Sequence, residues 1–279
     1  MENTSPCRNE PVAWALTGLA GIVPPLTVLA LAVFLLLESG KALAGIPAAS
    51  FFGQTWAPLD GQFGLLPILA GTFASTALAL LIAVPIGLAA ALHLSLYANR
   101  RFKLIGDTSV ALLGGLPSVV IGLWGMNWIV PLAGNSLGAA TLVLALMITP
   151  TFTLLAGAAI RQVPADVLET VHSLGVSEAV TVRMIVRHAR WGIAGAAILA
   201  ACRGIGEAIA VSMVAGNVAQ WPGLTEPVAT LTTTLIVEFD PASGLHRDAL
   251  YLLAALTMGI IVVVSIAGRS LEHARREHD

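Results

Sequence analysis

Residues 191–214 read WGIAGAAILAACRGIGEAIAVSMV, an apolar stretch that is interrupted by only two charges, Arg203 and Glu207. A stretch of this kind predicts a membrane-spanning helix, because about 20 apolar residues cross a bilayer. A charged side chain inside the hydrocarbon core is costly, and ionisable residues at such positions usually mark the route of a substrate or an ion. Arg203 and Glu207 are therefore the first candidates for a functional site.

The depth of Arg203 separates two interpretations of this pair. A helix that begins near Trp191 rises about 1.5 Å per residue, so Arg203 lies roughly 18 Å along it, past the midplane of a core about 30 Å thick. A purely structural i,i+4 ion pair stabilises an exposed helix by only about 0.2–0.5 kcal/mol. That gain is small compared with the cost of placing two charges inside the membrane, so the functional interpretation is favoured.

The whole chain has the composition of a polytopic membrane protein. Of its 279 residues, 57% are hydrophobic and 11% are charged, and the mean hydropathy is +0.86. These values exclude an ordinary soluble domain and a disordered chain. Six apolar stretches are long enough to span a bilayer, which predicts an all-α fold with six transmembrane helices. They lie at about 13–37, 67–95, 108–131, 136–160, 191–214 and 248–268.

The basic residues predict the orientation of these spans. If the N-terminus is cytoplasmic, the inner segments hold eleven lysines and arginines, whereas the outer loops hold only Lys41 and Arg247. This asymmetry predicts a multi-pass protein of the cytoplasmic (inner) membrane with both termini in the cytoplasm. The inner residues are Arg8, Arg100, Arg101, Lys103, Arg161, Arg183, Arg187, Arg190, Arg269, Arg275 and Arg276.

The inner segment at about 161–190 is too polar to insert, yet it carries apolar residues at helical spacing. These residues predict short helices that lie against another protein or against the membrane face. A plain amphipathic interfacial helix is the alternative. The residues concerned are Leu168, Val171, Leu174, Val180, Val182 and Ile185.

The sequence ETVHSLGVS at 169–177, within this segment, resembles the EAA coupling loop of ABC importer permeases. Glu169, Leu174 and Gly175 match the pattern of that loop. The resemblance implies a coupling helix that sits in a groove of a cytoplasmic ATPase subunit. A turn at Gly175 suits this shape, because glycine tolerates positive φ.

Four further segments resemble, in order, the permease subunit of high-affinity phosphate ABC importers. RGIGEAIAVSMVAGN at 203–217 and GGLPSVVIGLWG at 114–125 are the most specific matches, and 75–98 and MITPTFT at 147–153 also match. The resemblance implies a MetI-like five-helix permease core at 67–279, preceded by an N-terminal helix and outer segment at 1–66. In that family an Arg-x-x-x-Glu pair is linked to phosphate translocation, and the pair carries over to Arg203 and Glu207.

The same resemblance implies the partners of the chain. They are a second homologous permease, a cytoplasmic ATPase dimer, an external phosphate-binding protein and membrane lipid, and no nucleic acid. Glu207 would hold Arg203 when no substrate is bound and release it when phosphate arrives.

Two further polar residues are candidates for the route. Ser118 and Asn217 could hydrogen-bond an anion, or could cap helix ends. Ser118 follows Gly114, Gly115 and Pro117, which are expected to interrupt the third span, because proline removes a backbone donor and glycine is flexible. The break could line the route, or the glycines could simply allow close helix packing.

Catalytic signatures are absent from the sequence. It contains no GxxxxGK[ST] loop, GxSxG elbow or HExxH pair, and its six histidines lack metal-ligand spacing. We therefore expect a non-enzymatic permease that binds no cofactor and no metal itself, with ATP and Mg²⁺ on the separate ATPase.

Three other functions fit parts of the sequence. The permease could carry another oxyanion, namely sulfate, molybdate or phosphonate, because fold does not set specificity. A secondary transporter or channel could use Arg203 and Glu207 as a proton-coupled or gating pair. A membrane assembly factor would carry no substrate at all.

Overall fold

The structure is a computed structural model that describes residues 10–164 and 176–276. It is built almost entirely of helices, as the sequence predicts, with one short β-hairpin that pairs Trp56–Ala57 (β1) with Gln62–Phe63 (β2). The described α-helices are α1 (Glu10–Gly45), α2 (Leu66–Leu92), α3 (Arg100–Gly115), α4 (Ser118–Trp128), α5 (Val130–Ala133), α6 (Leu137–Arg161), α7 (Glu178–Gly206), α8 (Ile209–Ser212), α9 (Leu231–Glu238) and α10 (Leu245–Arg276).

Four helices of the described chain are long and apolar enough to cross a membrane, or five if α3 and α4 form one bent span. The four are Thr17–Gly45, Leu66–Tyr97, Leu137–Arg161 and Leu245–Gly268. The all-α, multi-pass membrane fold is confirmed. The predicted count of six is not reproduced among the described residues, because α7, which holds most of the stretch 191–214, is long enough but is not apolar enough to be counted as a span. The stretch 191–214 also does not form one continuous helix. Helix α7 ends at Gly206 because Glu207 is extended, with φ −75° and ψ 121°.

The predicted interruption of the third span is confirmed. Helix α3 ends at Gly115, and α4 begins at Ser118 with its axis turned by 89°. Leu116 and Pro117 between them are extended, with ψ values of 137° and 134°. The bend follows from the sequence, because a residue before proline is pushed out of the helical region.

Helices α2, α6 and α7 pack closely through small residues. A Cβ on Gly87 of α2 would lie 2.6 Å from the ring of Phe152, and a Cβ on Gly192 of α7 would lie 2.6 Å from the Cβ of Ala159. Phe152 is completely buried. Lipid chains are as apolar as leucine, so close approach at small residues, rather than hydrophobic burial, drives this packing.

Helix α1 lies at the periphery of the structure. It packs along α10, where Phe34 meets Tyr251 edge to face at a centroid distance of 5.8 Å. Elsewhere its apolar side chains, such as Leu26 and Leu29, are more than half exposed. In a bilayer such a surface contacts lipid.

The loops gather at two opposite ends of the helices. At one end the hairpin meets the start of α10, because Trp56 and Leu250 share a buried cluster. There the amide of Leu137 also donates to the carbonyl of Glu226 at 2.9 Å. At the other end, a π-helical turn at His93–Tyr97 packs beside α6. The segments predicted to be outer loops, which are the chain between α1 and α2 and the chain between α8 and α10, therefore lie together.

The inner segment at 161–190 differs from the prediction in part. Val180, Val182 and Ile185 do not belong to a separate short helix, because they lie within the first half of the continuous helix α7. Ile185 is buried in the main core. Leu168, Val171 and Leu174 lie outside the described residues.

The hairpin is tied to the end of α9 and the start of α10 by a polar cluster. The indole N–H of Trp56 donates to the Glu238 carboxylate at 2.9 Å, and the same carboxylate lies 2.9 Å from His246 Nε2. Trp56 is only 8% exposed, and its ring also meets Phe63 edge to face. One carboxylate thereby joins the hairpin to the last residue of α9 and the first turn of α10.

Replacing Trp56 by Phe should loosen this hairpin. Phenylalanine keeps the ring but loses the N–H, and a hydrogen bond to a charged group contributes about 1.5–3 kcal/mol when buried and less at this partly exposed carboxylate. We expect faster amide hydrogen exchange at 53–65, measured by mass spectrometry. The matched control is Trp221→Phe, since Trp221 is half exposed and its ring makes no hydrogen bond to another described residue. Equal exchange in wild type and Trp56→Phe would contradict the prediction.

Candidate functional site

Arg203 joins three helices at the break between α3 and α4. Its Nη1 donates to Thr151 Oγ1 of α6 at 2.9 Å, and its Nη2 donates to the carbonyl of Gly114 in α3 at 3.3 Å. The side chain itself belongs to α7 and is partly buried. The guanidinium therefore lies where a broken helix, α6 and α7 meet.

The broken helix makes the Gly114 carbonyl available. In a continuous helix this oxygen would accept from the amide of residue 118. Because Leu116 and Pro117 are extended, that bond is not formed, and the arginine supplies a donor instead. A free carbonyl at membrane depth is tolerated only where protein or water satisfies it.

Glu207 lies at a second break, between α7 and α8. One carboxylate oxygen, Oε1, accepts from the amide of Ala210 at 3.3 Å and so caps the short helix α8. The Glu207 carbonyl accepts from Thr232 Oγ1 at 2.8 Å, which ties the break to α9. Both interactions draw this residue toward the side of α8 and α9.

The expected ion pair between Arg203 and Glu207 is not formed in the described structure. The i,i+4 expectation assumes a helix that continues through both residues, and α7 ends at Gly206. With Glu207 extended, the two side chains instead bond Thr151 and Ala210. No described carboxylate lies within 4.0 Å of the Arg203 guanidinium, so the cation has no neutralising partner.

Ser118 lies beside this site, at the first residue of α4. Its side chain is partly buried and makes no hydrogen bond to another described residue. The N-terminus of α4 has no side-chain cap, since Pro117 occupies the capping position. Helix N-termini attract anions, because their amides are unpaired and the helix dipole is positive there.

Asn217 lies apart from Arg203 and holds the backbone after α8. It adopts a positive φ of 54°, and its Nδ2 donates to the carbonyl of Ser212 at 2.7 Å. This capping is one of the two roles expected from the sequence. Its Oδ1 is buried and has no hydrogen-bond partner in the described structure. An acceptor oxygen does not attract an anion.

The two breaks pack against one another. A Cβ on Gly122 of α4 would lie 3.0 Å from the Cα of Ala210 in α8 and 2.7 Å from the Met213 sulfur. Gly122 therefore allows contact that any larger residue would prevent. The short helices that follow the breaks form one packed unit beside Arg203.

Sequence reasoning missed Thr151 and Thr232, which hold the two charged residues in place. Thr151 lies in the MITPTFT segment, directly after Pro150. A hydroxyl at mid-depth of an apolar span is itself a signal, because buried polar groups need partners. Within the described residues, no three His, Cys, Asp or Glu side chains converge at a metal-binding distance. Glu169, Leu174 and Gly175 lie outside the described residues.

The fold and the site define the class of the protein. Apolar spans with helices broken at depth beside a charged side chain are the architecture of a polytopic membrane transport protein. The sequence profile described as "Binding-protein-dependent transport system inner membrane component" matches residues 83–276. The chain belongs to this family, and it is a non-catalytic membrane component of such a system.

Individual relatives agree with this assignment. The chain is 35% identical to the probable ABC transporter permease protein YqgH of Bacillus subtilis, over 75% of this chain and 71% of that protein. It is 28% identical to the phosphate transport system permease protein PstC of Mesorhizobium japonicum, over 92% and 86% of the two chains. The PstC of Haemophilus influenzae is 29% identical, over 91% and 90%. The resemblance to phosphate-importer permeases is confirmed.

A solved structure confirms the MetI-like fold. A chain of the MetNI methionine ABC transporter, in an inward-facing crystal form, superposes with a TM-score of 0.62 and 18% identity. The match covers 79% of this chain and 99% of that one.

Removing the Glu207 side chain should destabilise the second break, whereas removing only its charge should not. Glutamine keeps an oxygen that accepts from Ala210, but alanine does not, and the loss of a helix cap costs about 1 kcal/mol. We expect a lower unfolding midpoint for Glu207→Ala than for Glu207→Gln or wild type, measured by thermal denaturation in detergent. A fall of the same size in both variants would show that the charge, not the hydrogen bond, stabilises the break.

Proposed function

We propose that this chain is the permease subunit of an ATP-driven importer that carries inorganic phosphate across the cytoplasmic membrane. The observation that carries the proposal is the Arg203 guanidinium, which is partly buried among apolar helices and has no carboxylate within 4.0 Å among the described residues. An unneutralised cation at such a position is costly unless an anion visits it. The names of the PstC relatives support phosphate as that anion.

The donors of Arg203 suit a tetrahedral oxyanion. A guanidinium has five N–H donors in a rigid fork that matches phosphate geometry. Thr151 and Gly114 take two of them, which leaves three for a ligand. Ser118 Oγ and the N-terminus of α4 would add donors from the other side of the break. Phosphate would thus be bound between α4 and α7.

Glu207 and Asn217 have different roles in this proposal. Glu207 places a negative charge four residues after Arg203, so it can compete for the guanidinium and promote release of the anion. Asn217 donates to Ser212 and shapes the chain after α8, with one N–H left for an anion that enters. Arg203, Glu207, Ser118 and Asn217 would then follow one another along the route.

The partners follow from the family. We infer a second homologous permease, a cytoplasmic ATPase dimer that binds ATP and Mg²⁺, and an external phosphate-binding protein. The binding protein would dock at the end of the helices that carries the hairpin. The excess of basic residues in the predicted inner segments supports an orientation with both termini in the cytoplasm.

Replacing Arg203 should strongly reduce phosphate uptake. Loss of a charge-assisted hydrogen bond costs about 1.5–3 kcal/mol, so Arg203→Gln should lower uptake at limiting phosphate about 10- to 100-fold. Arg203→Lys should be intermediate, because lysine keeps the charge without the fork. The measurement is uptake of labelled phosphate in cells that lack this chain and are complemented with each variant.

Arg101→Gln is the matched control, since Arg101 is exposed on α3 and is distant in sequence from the break. Sulfate, molybdate and phosphonate are added as competitors. Wild-type uptake by Arg203→Gln at normal membrane abundance would refute the role of Arg203. If another oxyanion competes equally well, the transporter is not selective for phosphate, and the proposed substrate is wrong.

The segment around Gly175 should bind the ATPase. An aspartate there would place a charge and a Cβ at a turn that is expected to need glycine, so Gly175→Asp should abolish both co-purification of the ATPase and uptake. Gly40→Asp is the control for co-purification, because Gly40 is exposed near the end of α1, next to Lys41, with nothing within 4 Å of an added Cβ. Uptake that persists in Gly175→Asp would favour a secondary transporter.

A further inference from the structure

Two separate sets of partners hold Arg203 and Glu207 apart. Arg203 bonds Thr151 on α6, whereas Glu207 bonds Ala210 through its carboxylate and Thr232 through its carbonyl. The two residues are nonetheless close along the backbone, because Gly206, the last residue of α7, lies about 4.5 Å along the helix axis from Arg203, and Glu207 follows it by one Cα–Cα step of about 3.8 Å. Arginine and glutamate both have long side chains, so the two charged groups can reach each other if either is released.

We propose that Thr151 is a positioning residue that keeps the Arg203 guanidinium away from Glu207 and directed toward the break between α3 and α4, where the anion binds. This inference rests on the proposed function, since it assumes that Arg203 binds the transported anion. Thr151 would then not contact the anion itself, but would raise the affinity for the anion by holding Arg203 in position.

Thr151 is suited to this role because α6 is the most buried of the four long apolar helices in the described part of the chain. Its neighbours Ile148 and Phe152 are completely buried, so the backbone of α6 cannot easily shift. The hydrogen bond from Arg203 to Thr151 is 2.9 Å, shorter than the 3.3 Å bond to Gly114. The Gly114 carbonyl belongs to the exposed end of a broken helix and gives a less fixed anchor.

The hydroxyl of Thr151 differs from those of its neighbours on α6. Thr149 Oγ1 donates to the carbonyl of Ala145, and Thr153 Oγ1 donates to the carbonyl of Thr149. Both hydroxyls are thus satisfied within their own helix, which is the usual behaviour of threonine in a membrane helix. Thr151 instead accepts from another helix, and its contact is to a charged group.

Without this hydroxyl, Glu207 becomes the best remaining acceptor for Arg203. A carboxylate attracts the guanidinium more strongly than a neutral carbonyl oxygen does, because both partners then carry a charge, so an ion pair would form that competes directly with phosphate. A variant without the Thr151 hydroxyl would then show a weaker affinity for phosphate at an unchanged maximal rate of uptake. The weaker affinity would also depend on the negative charge of Glu207, which a packing defect would not.

The test is a double-mutant cycle on the complete transporter, with initial rates of labelled phosphate uptake measured over a range of concentrations. Thr151→Val, which matches the shape and lacks the hydroxyl, should raise the KM for phosphate about tenfold, and Thr151→Ser should restore it. In the Glu207→Gln background the same Thr151→Val change should raise KM by less than about threefold, because the competing pair is lost. Thr149→Val is the matched control and should leave KM unchanged.

Three results would overturn the proposal. They are an unchanged KM in Thr151→Val, an equal loss in Thr151→Ser, or the same increase in KM with and without Glu207→Gln. If Thr151→Val does not reach the membrane at normal abundance, Thr151→Ala takes its place in the same cycle. A failure of the proposed function is distinguished by Arg203→Gln, which would then transport phosphate as wild type does.

Discussion

The structure depends on one constraint, which is that a permanent positive charge must be satisfied inside a bundle of apolar helices. Arginine cannot lose its proton in proteins, so Arg203 must find acceptors at its own depth. It finds a hydroxyl on α6 and a main-chain carbonyl at the end of α3. Neither acceptor carries a charge. The arrangement meets the hydrogen-bonding requirement and leaves the electrostatic requirement open.

The broken helices follow from the same constraint. A continuous third span would bond the Gly114 carbonyl within its own helix, and the arginine would lose an acceptor. The break costs backbone hydrogen bonds, and it is tolerated because Arg203 replaces one of them. At the second break, the Glu207 carboxylate and the Thr232 hydroxyl serve the exposed backbone groups in the same way. Gly122 then lets the two short helices pack together.

The sequence predicted the features that depend on local chemistry. The length of the apolar stretches predicted four of the spans. The bend in the third span was predicted from Gly114, Gly115 and Pro117, because the effect of glycine and proline on the backbone is local. The end of α7 at Gly206 was harder to predict, since Ala208 and Ile209 after it are compatible with a helix and only Gly204 and Gly206 hint at a break. Thr151 lies 52 residues before Arg203, so only the packing of α6 on α7 brings them together.

The two bonds of Arg203 also differ in what an anion could displace. Thr151 lies on α6 between fully buried neighbours, whereas Gly114 lies at the end of α3, next to the exposed residues Leu113 and Leu116. An anion that takes a donor from Gly114 therefore disturbs α3, a helix with no buried residue, and leaves the anchor on α6 in place. Binding energy released at Arg203 would then act first on the α3–α4 break, which packs through Gly122 on α8. A single guanidinium can in this way link occupancy of the site to the position of both broken helices, because it is held firmly on one side and loosely on the other.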